Sequence, residues 1–380
     1  MNKPIYLDYA ATTPVDPRVA EKLVKHLTMD GVFANPASRS HLFGWQAEAA
    51  VEAARKQVAK LFNADTREIV WTSGATESNN LAIKGVAEAR KDRGKHIITS
   101  RSEHKAVIDC FEYLETRGYR VTWLNPDSTG VVSGKQVQSA ICDDTILISI
   151  MHVNNETGAI NEVHKIASIA KSKGVIFHID AAQSTGKLLL DTQALEADLI
   201  SACAHKIYGP KGVGCLYVRR TADFNLPAQI HGGGHERGMR SGTLPTHQIV
   251  AMGEACSLAQ GMMLDEQRQI LKLKQLFLSG LEGVNFKING HLDYAVSGIL
   301  NLSFPGADGQ LLLSALPGLA VSSGSACTSA TMSPSHVLSA MGLTDVEALS
   351  ALRFSFGRFT TEEDVMSATE MLKAVLSKMQ

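Results

Sequence analysis

The chain has 380 residues, 44% of them hydrophobic, with a formal net charge of −1. That length is too great for one small core and suits a large domain with a smaller companion. The near-zero charge supplies no global field, so neither nucleic acid nor an anionic membrane is expected as a partner. The six cysteines show no Cys-x-x-Cys spacing, which fits reduced thiols rather than a disulfide framework or a zinc site. No signal-peptide apolar region opens the chain and no run is long enough to span a bilayer, so a cytoplasmic location is expected.

In chain order, helices are predicted over 46–62, 78–90, 105–117 and 165–173. They alternate with short apolar strands at 68–72, 96–100, 120–124, 145–151, 175–179, 199–203 and 213–219. This alternation predicts an α/β fold, a sheet with helical crossovers. Near-continuous apolar strands indicate that both sheet faces are covered. After a glycine-rich segment at 231–243 the texture changes. A long helix (244–282), strands near 299–304, 319–321 and 352–356, and a last helix (361–378) predict a second, smaller α/β unit. The expected division is a large domain over 15–263 and a small one over 264–380, with residues 1–14 packing back across both.

Several polar residues follow apolar strands. The run Leu199-Ile200-Ser201-Ala202-Cys203 ends in Ala204-His205-Lys206 before a Gly-Pro turn. A lysine at such a mouth can meet a carbonyl in a partly dry site and form a Schiff base. Ser73-Gly74-Ala75-Thr76-Glu77-Ser78 opens a helix after a strand; its N–H groups and the Thr76 hydroxyl suit an anion, and a plain capping box from Ser73 suits the same residues. Asp180 ends a strand where open α/β sheets bind ligands; facing a pyridine nitrogen it would keep that nitrogen protonated, although without Lys206 downstream it reads better as an N-cap. His104 offers a flat, titratable ring, and Asn155 an amide in an Asn-rich turn. The conjunction with Lys206 is what a pyridoxal phosphate cofactor requires. His231 and His235 are separated by three glycines, so they need not share a face and no metal is expected.

These motifs closely resemble those of the pyridoxal-phosphate-dependent cysteine desulfurases of the IscS/NifS type, which are class-V aminotransferase-like enzymes of PLP fold type I. The resemblance spans nearly the whole chain. It includes Tyr6-Leu7-Asp8-Tyr9-Ala10-Ala11-Thr12-Thr13-Pro14, Asn35-Pro36-Ala37-Ser38-Arg39-Ser40-His41, Glu103-His104-Lys105, Asn154-Asn155-Glu156-Thr157-Gly158, Asp180-Ala181-Ala182-Gln183-Ser184 and His205-Lys206-Ile207-Tyr208-Gly209. It implies pyridoxal 5′-phosphate as cofactor, carried on Lys206. It implies Asp180 as partner of the pyridine nitrogen and His104 stacked on the ring. Asn155 and Gln183 would bond the ring oxygen, and Ala75, Thr76 and His205 would hold the phosphate. Thr243 would reach the phosphate of a second copy, which implies a homodimer. Cys203 stands where the family commonly has a serine phosphate ligand; a thiol donates more weakly, so a looser grip is expected there.

Cys327 lies among small residues in Ser322-Ser323-Gly324-Ser325-Ala326-Cys327-Thr328-Ser329, a composition that predicts a loop presenting a thiol. Cys110, Cys215 and Cys256 sit in predicted helices or strands and read as packing residues. Arg353 alternates with Leu352 and Phe354 in a strand and so faces away from the apolar row; its planar fork suits a carboxylate. The resemblance implies that Arg353 clamps the carboxylate of L-cysteine, with Asn35 and Asn155 as helpers. Cys327 would take the substrate sulfur as a persulfide and release L-alanine. A protein sulfur acceptor would follow, in iron-sulfur assembly, tRNA thiolation or DNA phosphorothioation. IscS-type relatives carry a C-terminal segment beyond the position of Gln380, which points to a dedicated paralogue. The competing readings are a selenocysteine lyase or aminotransferase on the same fold, and a sulfur-relay scaffold without catalysis.

Overall fold

A computed structural model describes residues 3–220, 225–323 and 333–379. The described strands are β1 (Ile5–Tyr6), β2 (Ile69–Thr72), β3 (His96–Ser100), β4 (Arg120–Leu124), β5 (Thr145–Ser149), β6 (Ile176–Asp180), β7 (Leu199–Cys203), β8 (Gly214–Val218), β9 (Lys287–Ile288), β10 (Ile299–Ser303), β11 (Leu319–Ala320), β12 (Ser322–Ser323) and β13 (Ala351–Ser355). Seven of them form one sheet in the order β2-β8-β7-β6-β5-β3-β4. Strands β3 to β7 run parallel, and β8 is antiparallel to both of its neighbours.

Both faces of this sheet are covered, as the apolar strands require. Successive strand residues enter opposite clusters. Ile98, Ile148, Phe177 and Ile200 face one core with Val58, Ile166 and Ile249. Their neighbours Ile97, Leu147, Ile176 and Leu199 face another with Val86 and Phe111. The result is a three-layer α/β/α arrangement in which side chains at strand ends, rather than on faces, remain free for polar work.

A four-stranded sheet, β12-β13-β10-β9, is antiparallel throughout. Its core gathers Leu300, Leu302, Leu352 and Phe354 with Phe277, Leu372 and Leu376. One helix, Thr246–Gly280, serves both sheets: Ile249, Met252 and Cys256 pack on the large core, while Leu273 and Phe277 pack on the small one. The N-terminal residues also join the two. β1 pairs with β11, Ser355 N–H donates to Leu7 O at 2.7 Å, and Thr13 N–H donates to His205 O at 2.9 Å.

Boundaries differ from the sequence reading where side chains cap. Glu68, predicted to open a strand, closes a 3₁₀ turn over Thr66–Glu68 because Asp65 and Glu68 form a reciprocal capping box. The helix predicted from residue 78 begins at Ala75. Short elements such as β1, β9 and the helix Pro17–Val24 carry too few residues for a periodic signal and were not predicted. Among the described residues, no helix is long and apolar enough to cross a membrane.

Candidate active site

The parallel strands deliver the predicted residues at their C-terminal ends. Asp180 closes β6 and is 5% exposed. Its Oδ2 accepts from Asn79 Nδ2 at 2.7 Å and its Oδ1 from Ala182 N at 2.9 Å. Asn79 was not singled out in the sequence: it lies in the helix Ala75–Arg90, far away in the chain, and only helix-on-sheet packing brings it here. Cys203 closes β7 and is buried; burial pushes its thiol up to about 11, against the nearby Lys206 amine, so it stays protonated.

Beyond β7 a short 3₁₀ turn, Ala204–Lys206, turns two side chains toward the turn that follows β1. Lys206 Nζ donates to Ala11 O at 2.7 Å and also to Ala10 O. His205 Nδ1 pairs with Thr12 Oγ1 at 3.2 Å. Burial, reinforced by the Lys206 amine, pulls His205 down to about 4.

His104 caps the helix Lys105–Thr116, its Nδ1 accepting from Ala106 N at 3.1 Å. That bond takes up Nδ1. Burial lowers the proton affinity of the ring; the Asp180 carboxylate opposes this and the Lys206 amine adds to it. His104 therefore lies in the fields of both Asp180 and Lys206.

Asn155 sits in a turn built by its neighbour. Asn154 Oδ1 accepts from Glu156 N and Thr157 N, each at 2.9 Å, while Asn154 Nδ2 donates to Ser102 O at 2.9 Å. The Asn155 side chain is left over: its Oδ1 is buried without a hydrogen-bond partner among the described residues. Its backbone carbonyl accepts from Arg353 Nη1 at 2.9 Å.

Arg353 lies on β13 with the parity the sequence implied, since Leu352 and Phe354 point into the core. Its Nη2 donates to Asp8 Oδ1 at 2.9 Å, and Ser322 Oγ donates to Asp8 Oδ2 at 2.9 Å. Asp8 was not predicted as part of the site. It occupies the guanidinium with the same chemical group, a carboxylate, that an amino acid would offer.

The helix Ala75–Arg90 starts at Gly74 with no side-chain cap, so its first N–H groups face outward unclaimed by Ser73. The reciprocal capping box is not formed; instead Glu77 Oε2 accepts from Ser73 N at 2.8 Å, and Glu77 pairs with Arg240 at 2.8 Å. A Cβ on Gly214 would lie 2.7 Å from Gly74 Cα, so two backbones meet here and glycine is required. Thr76 is exposed beside this terminus.

Three predicted residues stand apart. Asn35 is exposed, and its Oδ1 is used within its own turn by Ala37 N at 2.9 Å. Thr243 is exposed at the end of the glycine-rich segment. That segment is pinned by a buried bidentate pair, Arg55 to Glu236 at 2.8 Å, with Trp71 N also donating to Glu236 at 2.8 Å. Cys327 lies outside the described residues. Cys110, Cys215 and Cys256 are buried.

A family model for class-V aminotransferases matches residues 5–367. The chain belongs to the class-V aminotransferase family. Among curated members, it is 58% identical to cysteine desulfurase IscS of Shewanella oneidensis and 57% identical to cysteine desulfurase IscS of Vibrio vulnificus, covering 100% of this chain and 94% of each relative. A solved NifS-like protein superposes with a TM-score of 0.92 at 36% identity, covering 99% of this chain and 100% of the other. SspA in complex with cysteine gives 0.85 at 39%, covering 94% and 99%, and DndA from Streptomyces lividans gives 0.79 at 41%, covering 93% and 99%.

The geometry of this class-V aminotransferase fits pyridoxal phosphate on three counts. A buried carboxylate, Asp180, is steadied by Asn79. A buried amide oxygen, that of Asn155, lacks a partner. An uncapped helix start next to a glycine-lined contact suits a phosphate.

Proposed function

We propose that this family member is a pyridoxal-phosphate-dependent cysteine desulfurase. L-cysteine and the Cys327 thiol become L-alanine and a Cys327 persulfide, whose outer sulfur passes to a protein acceptor. The observation that carries the reading is the buried Asp180 carboxylate that Asn79 holds at the end of β6, beside the strand that leads to Lys206. Relatives named cysteine desulfurase, and a neighbour solved with cysteine, support the substrate.

In this reading Lys206 would carry the cofactor, Asp180 would partner the pyridine nitrogen, and His104 would stack on the ring. Asn155 and Gln183 would bond the ring oxygen. Ala75, Thr76, His205 and, weakly, Cys203 would hold the phosphate. When bound, pyridoxal phosphate supplies an electron sink for charge that develops at the substrate α carbon.

The chain's own residues do the rest. Arg353 exchanges Asp8 for the substrate carboxylate, and the Asn155 carbonyl keeps the guanidinium plane in place. Asn35 and Asn155 help to hold that carboxylate. The Lys206 amine takes the α proton. Cys327 Sγ bonds to the substrate sulfur as that sulfur leaves its carbon. The thiol proton moves through His104, whose lowered proton affinity suits it to releasing as well as accepting. One cysteine and one thiol thus give one alanine and one persulfide.

The reading includes a large domain over 15–263, a small domain over 264–380 joined by residues 1–14, and a homodimer. The exposed Thr243, on a segment clamped by Arg55 and Glu236, supports a contact with the second copy's phosphate. The test uses purified enzyme and L-cysteine. Alanine and protein persulfide should appear in equal amounts. Cys327→Ser should keep the visible cofactor band, and borohydride should still fix the cofactor at Lys206, while alanine formation stops. Turnover at the parent rate in that variant overturns the assignment.

A further inference from the structure

Lys187 was absent from the predicted site, yet it borders it. It lies four residues after Gln183 in a turn of helical pitch, where Lys187 N–H donates to Ser184 O at 3.0 Å and Leu188 N–H to Ser184 O at 2.9 Å. Residues four apart on such a turn face each other, and Lys187 Nζ donates to Gln183 Oε1 at 2.9 Å. At its other end the Gln183 amide donates from Nε2 to Ala10 O at 2.8 Å. Ala10 O also accepts from Lys206 Nζ. A continuous chain of contacts therefore runs from Lys187 through Gln183 and Ala10 to Lys206.

The backbone holds Lys187 in this place. Gln267, on the long helix, donates to Lys187 O. Gly186 adopts φ +68°, and a Cβ there would lie 2.9 Å from Ala259 Cβ and 3.0 Å from Ile207 Cγ2. The turn thus packs directly against the residue that follows Lys206. Lys187 and Lys206 line one cavity of about 150 Å³ with Tyr9, Tyr208 and Arg358.

A glutamine amide is nearly symmetric in shape but not in chemistry: one end accepts and the other donates twice. A carbonyl at one side demands the NH₂ end, and an ammonium at the other demands the oxygen. We propose that Lys187 is a positioning residue that locks the Gln183 amide in the one orientation presenting a spare N–H to the cofactor's ring oxygen. Without Lys187, only the Ala10 contact opposes the flipped amide, which would turn a lone pair toward an oxygen that needs a donor. Burial, with help from the Lys206 amine, pulls the Lys187 amine down to about 8. Either protonation state of an amine still donates, so the lock persists near neutrality.

This inference rests on the proposed cofactor contact of Gln183. Its test measures binding of pyridoxal 5′-phosphate to the apoprotein, by dissociation constant and by the position of the visible band, in a double-mutant cycle. Lys187→Met and Gln183→Leu should each weaken binding by roughly 5- to 30-fold and shift the band. The double variant should bind no more than about twofold worse than Gln183→Leu alone, because the two act through one contact. Lys187→Gln, which keeps a donor, should recover most of the affinity; Lys187→Leu, which does not, replaces Lys187→Met in the cycle if that variant melts abnormally. Parent-like affinity in Lys187→Met, or losses that add in full, overturns the lock. Failure of the parent itself to bind pyridoxal phosphate would overturn the proposed function as well. Binding by the parent that Gln183→Leu weakens and Lys187→Met leaves unchanged overturns this inference alone.

Discussion

The two sheets place their functional side chains by different rules. In the seven-stranded sheet, Asp180 and Cys203 occupy strand ends, and Asn155, His104 and Lys206 lie just beyond them. A parallel sheet covered on both faces has only its ends to offer, so it gathers residues from distant parts of the chain at one edge. In the four-stranded sheet, Arg353 lies in mid-strand, and alternation alone separates it from Leu352 and Phe354. The first sheet thus assembles a constellation, whereas the second supplies a single guanidinium, the proposed clamp. Loss of an end residue should therefore damage the chemistry, and loss of the clamp should damage substrate binding.

Lys206→Ala tests the first half most severely. Turnover should fall by at least about 10³-fold, on the scale of losing a covalent catalyst, and borohydride should fix no cofactor. Arg353→Gln tests the second half: KM for L-cysteine should rise roughly 10- to 100-fold, the worth of hydrogen bonds to a charged group, with a smaller effect on kcat. A kcat loss as large as the KM change would erase the distinction between the sheets. Asn79→Leu should sharpen it. That change removes one donor from Asp180 and should weaken cofactor retention by about tenfold, measured as the release rate of the visible chromophore, while KM stays near the parent's.

The sheets should also differ in acid. Burial holds His178 on β6 down to about 3 and His152, just after β5, down to about 4, whereas the strands of the four-stranded sheet contain no histidine. An unfolded histidine takes a proton near pH ~6.5. Between that pH and the folded values the unfolded chain binds more protons, so stability falls as pH drops through this window and the loss is complete only below it. Each such histidine contributes a slope of about 1.4 kcal/mol per pH unit. His178→Gln should flatten the stability profile between pH ~6.5 and ~3, read by denaturant titration at several pH values. An unchanged slope would show that another group controls acid unfolding.

Most strands were legible because apolar runs bounded by turns are a local property. β3, β4 and β7 fall on the predicted residues, and the other larger strands differ by one or two at an end. The site residues at strand ends were legible for the same reason, and the family motifs named them. What escaped was long-range. Asn79 and Asp180 are a hundred and one residues apart in the chain, and Asp8 and Arg353 are 345 apart. Neither spacing nor propensity encodes such a meeting. Glu68 escaped differently: its side chain favours a local cap, and this outweighed the β preference of the residues after it.

The sequence by itself determined the α/β alternation, the polar residue at each strand's end and the face of Arg353, because these depend on period and polarity within a few residues. Tertiary structure alone decided which groups steady them: Asn79 on Asp180, Asp8 on Arg353, and Lys187 on Gln183 against the Ala10 carbonyl shared with Lys206. The reason is physical. Burying a polar group is tolerable only when a partner meets it, and which partner arrives is settled by how helices and strands pack.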